Sequence, residues 1–375
     1  MFNNKKDTSK TSKKIDLIFD IRNSSAGLGV VEITKNERVI IYTNRRYSNP
    51  SVVRDVKTFE KQIEKITDDL IEDFIIFKKK NNIRQILNVN CVFSAPWYEA
   101  DINNLTFKEN KKTKLTEKYL DQKIEKGDIN DELESVENNL LSVSLNGYET
   151  ENPFGKTFTS IELSFYKSFI DKENKIKQKI EDKINPNKLN VHTHPFVILS
   201  VLRANFHNVN NFSLFDIGGE MTEISIFKNS ILKELITLPT GFNSIIRNIS
   251  KTTNDEQITI SKIKMLNLNQ INDDELLEKI NSNIEAWLET TKKILNSNEI
   301  QLPNDFFIAI DKDYKKLIKD ILSKKDFYSM ILNKNRQPNI RILDSIDQKN
   351  LAVYAKNVNR DPLISIIYNF STIEI

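Results

Sequence analysis

The residues best placed to do chemistry lie in "LFDIGGEMTEISIFKNSILKEL", residues 214–235. An apolar run ends at Asp216, Gly218 and Gly219 follow, and a second apolar run leaves from Thr222. Glycines in such a turn let backbone N–H groups close on an anion, and a neighbouring carboxylate can hold a hydrated cation. That is phosphate chemistry. Glu220 opposes it, because a carboxylate in the same turn repels phosphate. A run of the same form occurs earlier. "FDIRNSSAGLGVVEI" (19–33) ends its apolar stretch at Asp20 and passes through Arg22, Ser24 and Ser25, whose hydroxyls are candidate donors.

Other reactive residues are sparse. All three histidines fall in "HTHPFVILSVLRANFH" (192–207), where His192 and His194 would share one strand face as a metal pair. No cysteine or carboxylate cluster accompanies them, so a structural role is expected and no metal. The single cysteine, Cys91, lies in the apolar run "ILNVNCVFSAPW" and reads as a buried thiol. It excludes an internal disulfide and fits a reducing compartment. No Ser-His-Asp or Cys-His set is recognisable, so no catalytic residue is assigned. Trp97 and Trp287 read as core or interface anchors. With 55 basic and 52 acidic residues the net charge is +3, which gives no electrostatic case for nucleic acid. The polar start "MFNNKKDTSKTSKK" is expected to be a disordered tail over 1–14, with no secretory signal. No apolar run is long enough to span a bilayer, so a cytoplasmic protein is expected.

The elements that must position these residues follow from periodicity. "IDLIFDI", "GLGVVEI" and "RVIIYTN" read as three strands in a meander. Val53, Val56, Ile63, Ile66, Leu70 and Phe74 are spaced for one buried helix face over 51–80, and a strand follows over 86–96. The charged stretch after Trp97 reads as helix and loop. Residues 140–170 read as a β-hairpin with a broad turn. "KENKIKQKIEDKI" reads as a short helix, "LNVHTH" as a strand, and Pro195 opens another helix. "FSLFDI", "EISIFKN" and "ILKELITL" repeat the three-strand pattern, followed by helices near 241–251, 256–268 and 273–297. "DFFIAI" and "NIRIL" return as strands. Strands followed by helix thus occur twice, which predicts a duplicated α/β core. The expected parts are 15–96 with 191–211, an insertion over 97–190, and 212–375 with a helical insertion near 241–304.

Two copies of "apolar run, Asp, turn, strand" resemble the actin-like nucleotide-binding superfamily. The "NGYETENPFGK" hairpin is similar to the small insert of the FtsA and PilM branch, proteins of cell division and type IV pilus assembly. The resemblance implies duplicated actin-like (ribonuclease H-like) α/β subdomains around a cleft, with an inserted SHS2-like α+β domain. It also implies that, where nucleotide binds, Asp20, Ser24, Ser25, Asp216, Gly218, Gly219 and Thr222 meet ATP or ADP with magnesium. Several positions depart from that pattern. Arg22 stands where the family has glycine, Gly27 where it usually has lysine, Glu220 for the third loop glycine, and Met221 for a small residue. After "DFFIAI" the adenosine turn reads "DKDYKK", without glycine, and none of the 8 glycines lies beyond Gly241.

A carboxylate about 4 Å from a phosphate charge costs on the order of 4 kcal/mol at an effective dielectric of about 20. That is roughly a thousandfold in affinity. The expectation is no cofactor, or weakly bound ATP or ADP with magnesium. Arg22 and Glu220, on facing hairpins, are expected to form a salt bridge across the cleft. FtsA proteins usually end in a linker and an amphipathic membrane helix. "NRDPLISIIYNFSTIEI" has no basic amphipathic helix after it, which points to the PilM-like side. The implied function is a non-enzymatic scaffold for pilus assembly or division. Its expected partner is a peptide segment of a membrane-complex protein, held at the insert, that recruits the chain to the inner membrane face. Self-association stays open, and neither nucleic acid nor direct membrane insertion is expected. The alternative is an active actin-like ATPase that polymerises with ATP and magnesium.

Overall fold

In the computed structural model, residues 13–50, 56–124, 132–150, 152–205, 210–253, 255–311, 313–324, 338–343 and 352–373 are described. Strand β1 (Lys13–Ile21) is buried on both faces from Ile15 onward, as a central strand must be. Its odd residues Ile15, Leu17, Phe19 and Ile21 face one apolar cluster, and Ile18 faces another. Around it β2 (Ser25–Ile33), β3 (Arg38–Tyr47), β4 (Ile83–Phe93) and β9 (Lys188–Thr193) form a sheet in the order β3-β2-β1-β4-β9.

The second sheet repeats this plan. It contains β10 (Phe212–Ile217), β11 (Thr222–Lys228), β12 (Ile231–Leu238), β13 (Asp305–Ile310) and β14 (Asn339–Ile342), in the order β12-β11-β10-β13-β14. Strand senses match as well: the first three pair antiparallel and the last two join in parallel, in both sheets. The expected duplicated α/β architecture is therefore present.

Helix α1 (Val56–Lys80) covers the outer face of the first sheet with Ile63, Leu70, Ile71 and Phe74. Helices α5 (Phe242–Thr253), α6 (Glu256–Asn267), α7 (Asp274–Ser297) and α8 (Lys315–Leu322) bury their apolar faces with the second. A central cluster joins the two halves. It contains Ile18, Leu214, Phe307, the apolar face of α4 (His194–Asn205), and α9 (Pro362–Phe370).

The insert is a four-stranded antiparallel sheet, β5-β8-β6-β7, with one helix. Its elements are β5 (Glu99–Lys114), α2 (Glu117–Ile124), β6 (Leu133–Leu145), β7 (Tyr148–Glu149) and β8 (Thr157–Asp171). Buried Glu137 fixes it to the body, accepting from Thr193 N at 3.0 Å and Thr193 Oγ1 at 2.8 Å. Tyr166 Oη lies 2.8 Å from the same Thr193 hydroxyl.

Four details differ from the sequence reading. The stretch after Trp97 opens as the long strand β5 before the expected helix, α2, because β8 supplies the pairing that its polar composition hides. Helix α3 (Lys175–Ile184) packs Ile176, Ile180 and Ile184 into the α1 cluster, so it belongs to the first subdomain rather than the insert. The C-terminal segment also returns there: Ile40 N donates to Val353 O and Ala355 N to Ile40 O, both at 2.9 Å. A Cβ on Gly29 of β2 would lie 2.6 Å from Ile364, so this glycine makes room for α9. Lastly, Lys13 and Lys14 already belong to β1. Residues 1–12 of the expected tail, Val53 and His207 lie outside the described residues.

Candidate functional site

The site is the junction of two facing hairpin loops. The β1–β2 loop turns at Arg22, whose N–H donates to Ser25 O at 2.9 Å. The β10–β11 loop turns at Gly218, whose N–H donates to Met221 O at 3.0 Å. The loops interlock. Gly219 N–H donates to Ser24 Oγ at 2.9 Å, and Glu220 N–H to Asn23 Oδ1 at 3.0 Å. A Cβ on Gly218 would lie 2.3 Å from Asn23 Oδ1, and one on Gly219 2.4 Å from Ser24 Oγ. The two glycines admit the opposite loop of the same chain. The start of α5 is engaged too: Phe242 N–H donates to Gly218 O at 2.9 Å and Asn243 N–H to Gly219 O at 2.8 Å. Thr222 is fully buried and donates its hydroxyl to Thr240 O at 2.9 Å.

Each acid of these loops faces an arginine. Asp20 accepts from Arg45 Nη2 at 2.7 Å, and the same guanidinium reaches Asp361 at 2.7 Å and Ser25 Oγ at 3.2 Å. Arg45 lies across Gly27, where a Cβ would come 2.5 Å from Nη2. Asp216 pairs with Arg22, and His194 Nδ1 lies 2.7 Å from its other oxygen. Burial pushes the Asp216 carboxyl up, but Arg22 and then His194 outweigh it and hold the group well below the usual carboxylate range. Glu220 takes a bidentate pair of 2.8 Å bonds from Arg247 and another at 2.9 Å from Asn243.

The expected Arg22–Glu220 bridge is therefore corrected. Arg22 reaches Asp216 of the other subdomain, while Glu220 turns to Arg247 on α5 of its own. Nor are His192 and His194 brought together: His192 Nδ1 sits 3.4 Å from Glu137 Oε1. Among the described residues, no group of three or more His, Cys, Asp or Glu could hold a metal ion.

Beside Asp216 lies its register partner Glu223, which accepts from the buried Tyr98 hydroxyl of the other subdomain. Burial pushes the Glu223 carboxyl up to about 8; Tyr98 opposes this, and Asp216 adds to it. Above the loops a cleft of about 290 Å³ remains, lined by Ser24, Arg45, Tyr47, Phe242, Lys264 and Tyr314 among others. At one wall of this cleft the Tyr314 ring stacks on Phe242 at 4.1 Å. Lys264 of α6 pairs with Asp313 at 2.7 Å and lies 5.8 Å over the Tyr47 ring across the cleft.

Sequence reasoning missed Asn23, Arg45, Tyr98, Glu223, Arg247 and Asp361, and it did not connect His194 with Asp216. One signal was available. Buried acids need counter-charges, and Arg45 is the register partner of Gly27 on the neighbouring strand.

No protein-family model and no curated protein matches the sequence. By shape the chain is similar to a solved PilM-PilN type IV pilus biogenesis complex. The TM-score is 0.61 at 12% identity, over 95% of this chain and 97% of that one. Two looser likenesses are the ethanolamine utilization protein EutJ from Carboxydothermus hydrogenoformans (TM-score 0.43, 10% identity, 95% and 89% covered) and a Bacteroides thetaiotaomicron protein with an actin-like ATPase fold (0.40, 6%, 98% and 99%). The fold is the actin-like one, in a PilM-like form.

Proposed function

We propose that this chain is a non-enzymatic actin-like scaffold that docks a segment of a membrane-complex protein, in a role of the pilus-assembly or division type. One observation carries this reading. The loop amides that would meet phosphate donate to Ser24 and Asn23 of the facing loop. The arginines support it, since Arg45 and Arg22 stand beside Asp20 and Asp216, where a bound cation's charge would fall. Bound ATP–magnesium would have to displace both sets of bonds and also approach Glu220. Calorimetric titration with ATP and magnesium is expected to show no binding tighter than about 100 μM, given the charge penalty of a nearby carboxylate. A low-micromolar dissociation constant with phosphate release would overturn the reading in favour of a polymerising ATPase. The retained Asp20, Asp216, Gly218 and Gly219 and the open cleft are what that alternative rests on.

The partner site belongs to the insert in this proposal, whose fold is of the SHS2 type. Strand β5 is an edge strand of 16 residues, paired on one side by β8. An extended segment can add there through main-chain bonds, with alternate side chains giving specificity. The similar solved structure is itself a complex of PilM with PilN. No described helix is long and apolar enough to cross a membrane, so in this reading the partner supplies the anchor. A photo-crosslinker at exposed Thr106 of β5 is expected to capture a membrane-complex protein in cells, and one at exposed Glu285 of α7 is not. Equal yields from both positions would count against docking at β5.

A further inference from the structure

The far end of the insert carries a surface that the scaffold reading does not use. Register locates it. Glu99 pairs with Phe169 near the body, whereas Lys114 pairs with Thr157 and Leu145 with Ile161 at the opposite end. Two rings stand out there: Tyr148 is 79% exposed and Phe154 49%. They are not the insert's own core, which is built inward from Phe158, Ile161, Leu163 and Phe165.

Lysines surround these rings. Lys108, Lys111, Lys112, Lys114, Lys118 and Lys156 are all exposed. The pairing of β5 with β8 steps from Lys108–Ser160 to Thr113–Phe158, so the bulge between them throws Lys111 and Lys112 off the edge. The Lys114 stem passes over Gly155, next to Phe154, with Cε 3.8 Å from where a Cβ would be. Against them stand the exposed acids Glu117 and Glu149, while Glu109 is held by Tyr119 and Lys123.

We propose that this tip is a peripheral docking site for an anionic lipid bilayer, at headgroup depth. Aromatic rings favour that depth, and lysine stems can lie along apolar matter while their ammonium groups stay in the polar layer. Each lysine adds attraction to anionic lipid. Nucleic acid fits less well. Tyr148 sits in the two-residue strand β7 and Phe154 on a turn, both at the end of the sheet, so no extended strand face offers a platform for stacked bases. Arginine, which grips phosphate with two parallel bonds, is absent from Glu99 to Asp171. A bilayer presents a diffuse field, which point-charge lysines match. The site takes only the far end of β5, from Lys108 onward, with the rings beyond it, whereas the partner reading is tested at Thr106, so either can fail alone.

The test is sedimentation of the full chain with vesicles of phosphatidylcholine alone or mixed with phosphatidylglycerol. Binding to the mixed vesicles only, reversed by high salt, is expected. Lys111→Glu with Lys112→Glu is expected to weaken it at least about 25-fold, taking about fivefold per lysine. Tyr148→Ser with Phe154→Ser is expected to weaken it about tenfold or more, from the lost apolar burial. All four side chains are exposed, and circular dichroism checks that the variants stay folded. No binding, equal binding to both vesicle types, or unchanged binding by the variants would overturn the proposal and leave the lysines as edge protection. Tighter binding to a single-stranded oligonucleotide than to mixed vesicles would also overturn it.

Discussion

Replacing Arg22 by methionine is expected to cost about 3–5 kcal/mol of stability, since it leaves a buried carboxylate without its guanidinium. Arg22 and Asp216 are each only 5% exposed, and they come from different subdomains. A methionine fills much of the space but supplies no charge, so Asp216 keeps only His194, 2.7 Å away. The partner substitution Asp216→Asn should be costly for the mirror reason. Combined, the two should cost less than their sum, with a coupling energy of at least about 1 kcal/mol. Denaturant unfolding of the four proteins measures it. Strictly additive losses would show that the pair does not hold the subdomains together. Removing Arg22 should not create an ATP site, because Asn23 and Ser24 still occupy the loop amides.

The fold was legible where physics is local. Runs such as "IDLIFDI" and "FSLFDI" end at an acid before a turn, and their recurrence gave the duplicated sheets. Strand β5 was not legible. "TFKENKKTK" has the composition of a solvated helix, and only pairing with β8 makes it a strand. The home of α9 was hidden for a similar reason, since Ile364 meets Gly29 across most of the chain. In the site, the sequence singled out Asp20, Asp216 and Arg22, and the structure places all three buried at the junction of the two loops. It could not rank partners. Arg45 and Arg247 lie 25 and 27 residues from the acids they bind, and which guanidinium reaches which carboxylate depends on loop depth.

The bonds at the two loops have a common physical logic. An actin-like cradle concentrates backbone donors and carboxylates around a ligand that brings both phosphate and cation. Without that ligand, the donors need acceptors and the acids need positive charge. Here Ser24 and Asn23 supply the acceptors and three arginines the charge, all from the chain itself. In the proposed scaffold reading, Arg22 and Glu220, which look unrelated in sequence, are two parts of one internal replacement.

Glu223 is where that replacement leaves a measurable mark. Its folded pKa is about 8, against 4.5 as the ordinary value. A raised acid contributes no penalty below the unfolded value, where both states are protonated. As pH rises past that value, only the unfolded chain releases the proton, and stability falls until the folded carboxyl ionises too. The wild-type protein should therefore lose stability between about pH 5 and 8, by a few kcal/mol at about 1.4 kcal/mol per unit. The low Asp216 value has the opposite sign, and its contribution is lost only on acidification below the ordinary carboxylate range, outside this window. Glu223→Gln keeps an oxygen to accept from Tyr98 and cannot ionise. Urea unfolding should show the variant close to wild type at pH 5 and increasingly more stable toward pH 8. Tyr98→Phe removes the hydroxyl that favours the ionised form, so it should extend the decline to higher pH without steepening it. A stability difference between Glu223→Gln and wild type that stays constant across this range would mean that Glu223 is already ionised in the folded protein, with two carboxylates side by side at the junction.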